Sequence, residues 1–194
     1  MNGATISVDS FAFSILGAVM PSLETFPFQS VRHFIFDIDG VLTDGSVWVM
    51  PGGEQVRRMN IKDGYALQLA IKMGYTVTVI SGSARSAVDD RLLKLGILDV
   101  HFGVVDKASF LLARMSEMGW DPSLALYMGD DVPDLGAMSL VGLACCPSDA
   151  AADILSAAQY ISPRGGGMGC VRDVIEQVLR LNDHWSHQPD IASR

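Results

Sequence analysis

From Val31 onward the chain alternates short apolar runs with amphipathic stretches, a pattern that predicts strands followed by helices. His33-Phe34-Ile35-Phe36 reads as a buried strand ending at Asp37. Ser46 to Met50 and Gln55 to Asn60 flank Pro51-Gly52-Gly53-Glu54, which predicts a β-hairpin with a short turn. Asp63 is placed to cap a helix running to Met73 and stopped at Gly74. Tyr75 to Ile80 is the next strand, rich in β-branched residues. Ala84 to Leu95 reads as a helix closed by Gly96, and Val100 to Phe102 as a short strand.

The alternation continues to the C-terminus. Lys107 to Met118 is a helix stopped by Gly119, and Leu124 to Met128 a strand ending in Gly129-Asp130-Asp131. A helix around Leu135 to Leu140 precedes a strand near Leu143. Asp149 to Ala157 is helical, Tyr160-Ile161 is a strand remnant, and Val171 to Leu181 is a final helix. Strands that alternate with helices pair in parallel through right-handed crossovers. The expected fold is therefore α/β, a Rossmann-like open, mostly parallel sheet with helices on both faces, plus the hairpin. Residues 1–30 read as a poorly ordered extension, 31–181 as the domain, and 182–194 as a polar, frayed tail.

Composition narrows the function. Apolar residues make up 49% of the 194, enough for a substantial core, and only 19% are charged. The net charge of -8, with no basic run, argues against a nucleic-acid partner. Acidity does not exclude an anionic substrate, because a bound cation inverts the field of a carboxylate cluster. The apolar run Phe11 to Met20 falls short of the roughly 20 residues that cross a bilayer. Residues 1–30 hold no Lys or Arg for a secretory signal, so no membrane partner is expected. Cys145, Cys146 and Cys170 form no disulfide framework and read as small core filler in a reducing cytoplasm.

Four constellations carry chemistry. Asp37-Ile38-Asp39-Gly40 puts two carboxylates at the C-terminal end of the first strand, where open α/β sheets bind ligands. Ile80-Ser81-Gly82 puts a hydroxyl at the end of another. Lys107 opens a helix, where a cation opposes the helix dipole and so hints at use. Gly129-Asp130-Asp131-Val132-Pro133-Asp134 crowds three acids that repel each other without a counter-ion. A hard divalent cation such as Mg²⁺, which prefers oxygen ligands, resolves that repulsion. Each motif alone has a bland reading as an Asp-Gly turn, a Ser-Gly turn, a surface lysine or a capped helix start. Together, on one edge of the sheet, they are the parts of a phosphoryl-transfer site with an aspartyl-phosphate intermediate.

The set Asp37-x-Asp39, Ser81, Lys107 and Gly129-Asp130-Asp131 resembles, in order and spacing, the haloacid dehalogenase superfamily. A closer likeness, covering about Val31 to Leu181, is to its 3-deoxy-D-manno-octulosonate 8-phosphate (KDO 8-phosphate) phosphatases. It rests on Phe36 to Gly45, the hairpin, Asn60-Ile61-Lys62-Asp63-Gly64 and Gly165-Gly166-Gly167-Met168-Gly169.

The resemblance implies a cytoplasmic sugar phosphatase serving lipopolysaccharide precursor synthesis. It also implies a capless subunit, and the roughly forty residues between Asp39 and Ser81 leave no room for a cap domain. Family members are homotetramers in which a neighbour's hairpin covers the site, so Ser46 to Met59 would be an intersubunit flap. By the same likeness Asp37 is the nucleophile and Asp39 the acid and base. Asp37, the Asp39 backbone carbonyl and Asp130 hold Mg²⁺, and Ser81 and Lys107 bind the phosphoryl group. Asp131 and Asp134 orient metal waters or Lys107. Asn60, Lys62, Asp63, Gly64 and Arg91 match positions that touch substrate. Lys62, Gln68 and Ser83 stand where some relatives carry Arg, and Met168 where a charged residue is common.

Other readings are a phosphatase for a nine-carbon keto-deoxy sugar acid 9-phosphate, a broad-specificity phosphomonoesterase, and a non-catalytic oligomerisation relative. A signalling receiver module carries similar groups, but its Lys comes last, whereas Lys107 precedes the final acids.

Overall fold

A computed structural model describes residues 26–186, 188 and 191 of the chain. Its centre is a six-stranded sheet of order β5-β4-β1-β6-β7-β8 in which every pairing is parallel. The strands are β1 (His33–Phe36), β4 (Thr76–Ile80), β5 (Asp99–His101), β6 (Ala125–Met128), β7 (Leu143–Cys146) and β8 (Tyr160–Ile161). Strands β2 (Trp48–Val49) and β3 (Gln55–Val56) form a separate antiparallel hairpin, with Trp48 opposite Val56. The helices are α1 (Ile61–Lys72), α2 (Ala87–Lys94), α3 (Lys107–Met118), α4 (Leu135–Met138), α5 (Ala152–Ala157) and α6 (Cys170–Leu181).

Successive strand residues face opposite sides of the sheet, so each strand feeds two cores. Phe34, Phe36, Val77, Val79, Leu126, Met128 and Leu143 pack with buried residues of α1, α2 and α6. Ile35, Ile80, Tyr127, Ala144 and Cys146 pack on the other side with residues of α3, α4 and α5. The three cysteines are free and buried, in keeping with a filler role.

Several boundaries differ from the sequence reading. Helix α1 starts two residues before Asp63, because Asn60 is the cap, its side chain accepting from the Lys62 N–H at 2.9 Å. Asp63 is instead buried in the first turn. Helix α2 starts at Ala87, capped by Ser86, three residues later than the apolar pattern indicates. The hairpin strands are two residues each, shorter than the flanking segments.

Most of the expected extension, including Phe11 to Met20, lies outside the described residues. Its end, Pro27–Ser30, forms a 3-10 turn whose Phe28 is fully buried and edge-on to Tyr160, so the packed domain starts before Val31. The start of the tail is packed too. Tyr75 and His184 are hydrogen-bonded at 3.0 Å, and Trp185 lies edge-on to Tyr65 beneath the Arg172 guanidinium. Among the described residues no helix is long and apolar enough to cross a membrane.

Candidate active site

The strand order reverses direction at β1: the chain moves outward to β4 and β5, then returns to β6 on the other side. That switch point opens a crevice at the C-terminal strand edge. A cavity of about 520 Å³ sits there, lined by Asp37, Asp39, Ser81, Lys107, Asp130, Asp131 and Asp134, with Ser83 beside them. All seven catalytic, metal and supporting residues expected from the sequence thus meet at one place.

The loop after β1 presents both of its acids. The Asp37 N–H donates to the Met128 carbonyl at 3.1 Å, tying Asp37 to β6. Ile38–Leu42 turn sharply through Gly40, whose φ is 87°. The buried Thr43 hydroxyl donates to the Ile38 carbonyl at 3.1 Å and accepts from the Gly40 N–H at 3.3 Å, locking the turn from inside. A Cβ on Gly40 would overlap the Asp130 carboxylate, so glycine is what lets the two acidic loops approach.

Lys107 is the organising cation. Its ammonium lies 2.9 Å from Asp37 Oδ1 and donates to Asp134 Oδ1 at 2.7 Å, and all three side chains are more than nine-tenths buried. Burial works against the Lys107 charge, but Asp37 and Asp134 outweigh it and raise the pKa. The Asp106 side chain caps α3 by accepting from the Ser109 N–H, so Lys107 is free to point into the cavity. The Tyr127 hydroxyl also donates to Asp134 Oδ1, at 2.7 Å. Asp134 Oδ2 accepts from the Asp130 and Asp131 N–H groups at 3.2 and 3.4 Å. Asp134 is thus the bracket between Lys107 and the Asp130 loop. The Asp131 carboxylate caps the following turn by accepting from the Val132 N–H at 2.8 Å.

The remaining acids are charge-frustrated. Burial, then the Asp134 charge, push Asp37 up to about 7 despite Lys107. Burial and the charges of Asp37, Asp134 and Asp131 push Asp130 up to about 7. Carboxylate oxygens of Asp37, Asp130 and Asp134 lie within 4.8 Å of one another. Those of Asp134 are already held by Lys107, Tyr127 and backbone N–H groups, which leaves Asp37 and Asp130 to hold a cation. An all-oxygen donor set of this kind fits a hard divalent ion. Ser81 completes the cavity floor. It is buried, and its hydroxyl is 2.8 Å from that of Ser83 and accepts from the Ser83 N–H at 3.1 Å.

The five positions matched to substrate contact lie elsewhere in the chain. Asn60 and Lys62 line a separate cleft of about 510 Å³ with Arg164 and Arg172. Arg91 lines a groove of about 230 Å³ between the hairpin and α2. Asp63 and Gly64 are buried: Asp63 Oδ1 accepts from the Arg172 N–H at 2.8 Å, and a Cβ on Gly64 would press on Arg91 and Leu95. The structure does not bring these residues to the acidic cavity within one chain.

Two residues of the site escape the sequence reading. Tyr127 was legible as the one hydrogen-bonding side chain in Ala125–Met128, on the face that receives α3. Arg57 had no local signal: it follows β3, and its guanidinium reaches back to Asp39.

The sheet and its acid-edged cavity are those of the haloacid dehalogenase superfamily. A superfamily hydrolase from Legionella pneumophila superposes with a TM-score of 0.79 at 32% identity, over 83% of this chain and 87% of that one. The 3-deoxy-D-manno-octulosonate 8-phosphate phosphatase KdsC of Salmonella typhimurium is 32% identical over 163 residues, 84% of this chain and 86% of the relative. The chain belongs to that KDO 8-phosphate phosphatase family. The family's enzyme from Moraxella catarrhalis, solved with magnesium, phosphate and KDO, superposes with a TM-score of 0.78 at 30% identity, over 81% of this chain and 91% of that one. No protein-family model matches the chain.

Proposed function

We propose that the protein is a Mg²⁺-dependent phosphatase that hydrolyses KDO 8-phosphate to the free sugar acid and inorganic phosphate, in lipopolysaccharide precursor synthesis. The observation that carries this reading is the buried Asp37–Lys107 pair with the Asp130 carboxylate close by, at the switch point of a parallel sheet. Mg²⁺ held by Asp37, the Asp39 carbonyl and Asp130 would neutralise charge on the phosphoryl oxygens.

The protein's own groups divide the work. An Asp37 oxygen attacks phosphorus, and Asp39 gives its proton to the sugar oxygen as the phosphorus–oxygen ester bond breaks. Asp39, now a carboxylate, takes a proton from the incoming water. The water oxygen bonds to phosphorus and the Asp37–phosphate bond breaks, which returns Asp37 to its carboxylate and leaves Asp39 protonated for the next turnover. Lys107 and Ser81 hold phosphoryl oxygens as charge develops. Asp134 and Tyr127 fix Lys107, and Asp131 shapes the loop that carries Asp130.

Sugar recognition draws on neighbouring subunits of a homotetramer. The hairpin supports this, because Trp48 and Val49 are 70% and 72% exposed and need a partner surface. Asn60 and Lys62 line another cleft of their own chain, from which they would reach a neighbour's site, and Arg91 lines the groove beside the hairpin. Asp63 and Gly64 serve by fixing α1 beneath α6 and α2. Free, buried cysteines fit a cytoplasmic enzyme.

Ser83 lines the cavity where some relatives carry Arg, which keeps a nine-carbon keto-deoxy sugar acid 9-phosphate as the second candidate. Side-by-side kinetics on the two sugars test the choice. A higher kcat/KM for KDO 8-phosphate supports the first, and a preference for the nine-carbon ester replaces it.

A further inference from the structure

Three consecutive residues staple the return arm of the hairpin to the loop that carries Asp37 and Asp39. Met59 bridges Thr43 in antiparallel fashion, Arg58 reaches Asp44 at 2.8 Å, and Arg57 reaches Asp39. The two ion pairs differ in kind. The Arg58 side chain is 61% exposed, so its pair with Asp44 is screened and contributes little. The Arg57 side chain is only 6% exposed. Its guanidinium has given up water, and breaking its pairing would leave a buried charge uncompensated.

The contact is also lopsided. Arg57 Nε donates to Asp39 Oδ1 at 2.5 Å, whereas Nη2 lies 3.4 Å from Oδ2. One carboxylate oxygen is anchored and the other only lightly held. With Nε on one oxygen and Nη2 near the other, the planar guanidinium orients the carboxylate plane in a way that a lysine point charge does not. Oδ2 is the oxygen left with hydrogen-bonding capacity for another group.

We propose that Arg57 is a positioning residue for proton transfer by Asp39, anchoring Oδ1 so that Oδ2 meets first the leaving oxygen and then the attacking water. The inference rests on reading Asp39 as the acid and base of the two-step hydrolysis above. The first step turns Asp39 from acid to carboxylate as the ester bond breaks, and the second returns the proton from water to Oδ2. Arg57 keeps its own protons throughout. It prevents the carboxylate that exists between the two steps from rotating away. Because Arg57 rides on the hairpin, seating the hairpin becomes part of setting the proton-transfer geometry.

A double-mutant cycle on the full chain tests this, using Arg57→Gln, Asp39→Asn and the pair, with Mg²⁺, on KDO 8-phosphate and on p-nitrophenyl phosphate. Arg57→Gln should lower kcat on the sugar phosphate by roughly ten- to a hundredfold, part of what acid–base catalysis supplies. KM should stay within about twofold, because ground-state binding is not what is lost. The aryl ester, whose leaving group needs no proton, should lose less. In the Asp39→Asn background the Arg57 change should add nothing further. Arg57→Lys should recover part of kcat, and it replaces Arg57→Gln in the cycle if the latter does not fold. An equal loss in the Asp39→Asn background would place Arg57 in phosphoryl binding or hairpin stability and overturn the proposal. Full sugar-phosphate turnover by Asp39→Asn alone would overturn the reading of Asp39, and the proposal with it.

Discussion

The Lys107 ammonium stands 2.9 Å from the Asp37 carboxylate, with 5% and 8% of the two side chains exposed. Desolvating such a pair is costly, and it persists because Asp134 adds a second anionic contact at 2.7 Å. Removing the cation would leave two buried carboxylates facing each other. Lys107→Met should therefore cost about 3–5 kcal/mol of stability, the usual penalty for breaking a buried pair from one side. It should also lower kcat by on the order of a hundredfold or more, through lost stabilisation of phosphoryl charge. Chemical denaturation and steady-state kinetics check both, and a stable, active variant would contradict the role.

Asp63 predicts a pH signature away from the chemistry. Burial pushes its pKa from 3.8 to about 6, and its Oδ2 has no hydrogen-bond partner. Between those values the folded protein binds the Asp63 proton more tightly than the unfolded chain does. By linkage, this group makes the fold more stable as pH falls from about 6 to about 4, and less stable as pH rises through the same window. Asp63→Asn removes that dependence. The Tm of the unmodified protein minus that of Asp63→Asn should be largest near the acid end of the window and shrink toward neutrality. A difference that does not vary with pH would contradict the assignment.

The exposed hairpin predicts an assembly phenotype. Trp48 and Val49 present adjacent apolar side chains, with Met50 and Val56 also exposed. Replacing Trp48 and Val49 together by Ser should shift the protein to a smaller species in light scattering. It should impair sugar-phosphate turnover more than aryl-phosphate turnover, because the cover and not the phosphoryl site is lost. An unchanged mass would remove the intersubunit role.

Gly166 predicts a remote lesion of the loop that carries Asp37 and Asp39. A Cβ there would collide with the Gly40 carbonyl and press on that of Thr43, both backbone atoms that cannot swing aside. The Asp149 carboxylate holds the Gly166 N–H at 2.8 Å, so the glycine-rich loop has little room to retreat. Gly166→Ala should lower Tm and reduce kcat by about a hundredfold, the scale expected when reacting groups are displaced by roughly an ångström. Unchanged kinetics would show that the Gly40 turn does not depend on this contact.

What the sequence discloses and what it conceals follow from the range of the interactions. The parallel sheet was legible because its central strands are short apolar runs and α1, α2 and α3 each end at a glycine, Gly74, Gly96 and Gly119. The catalytic cavity was legible because Asp37, Ser81 and Asp130 stand at or just beyond strand ends, which topology gathers on one edge. The Arg57–Asp39 pair was not, because it depends on how a two-residue-per-strand hairpin folds back over the loop. Asp63 looked like a helix cap because acids are favoured in a first turn. Asn60, three residues earlier, takes that role, and Asp63 is turned inward to hold the start of α6. Packing of Phe28 and Trp185 onto the domain is likewise a tertiary fact with no local pattern.

The most direct measurement is phosphate release from KDO 8-phosphate by the unmodified protein and by Asp37→Asn, each with Mg²⁺ and with a chelator. The account predicts rapid release only from the unmodified protein with Mg²⁺, well above that from other sugar phosphates, and none from a folded Asp37→Asn variant. Release that survives chelation, or near-normal turnover by Asp37→Asn, would contradict a metal-assisted attack by Asp37.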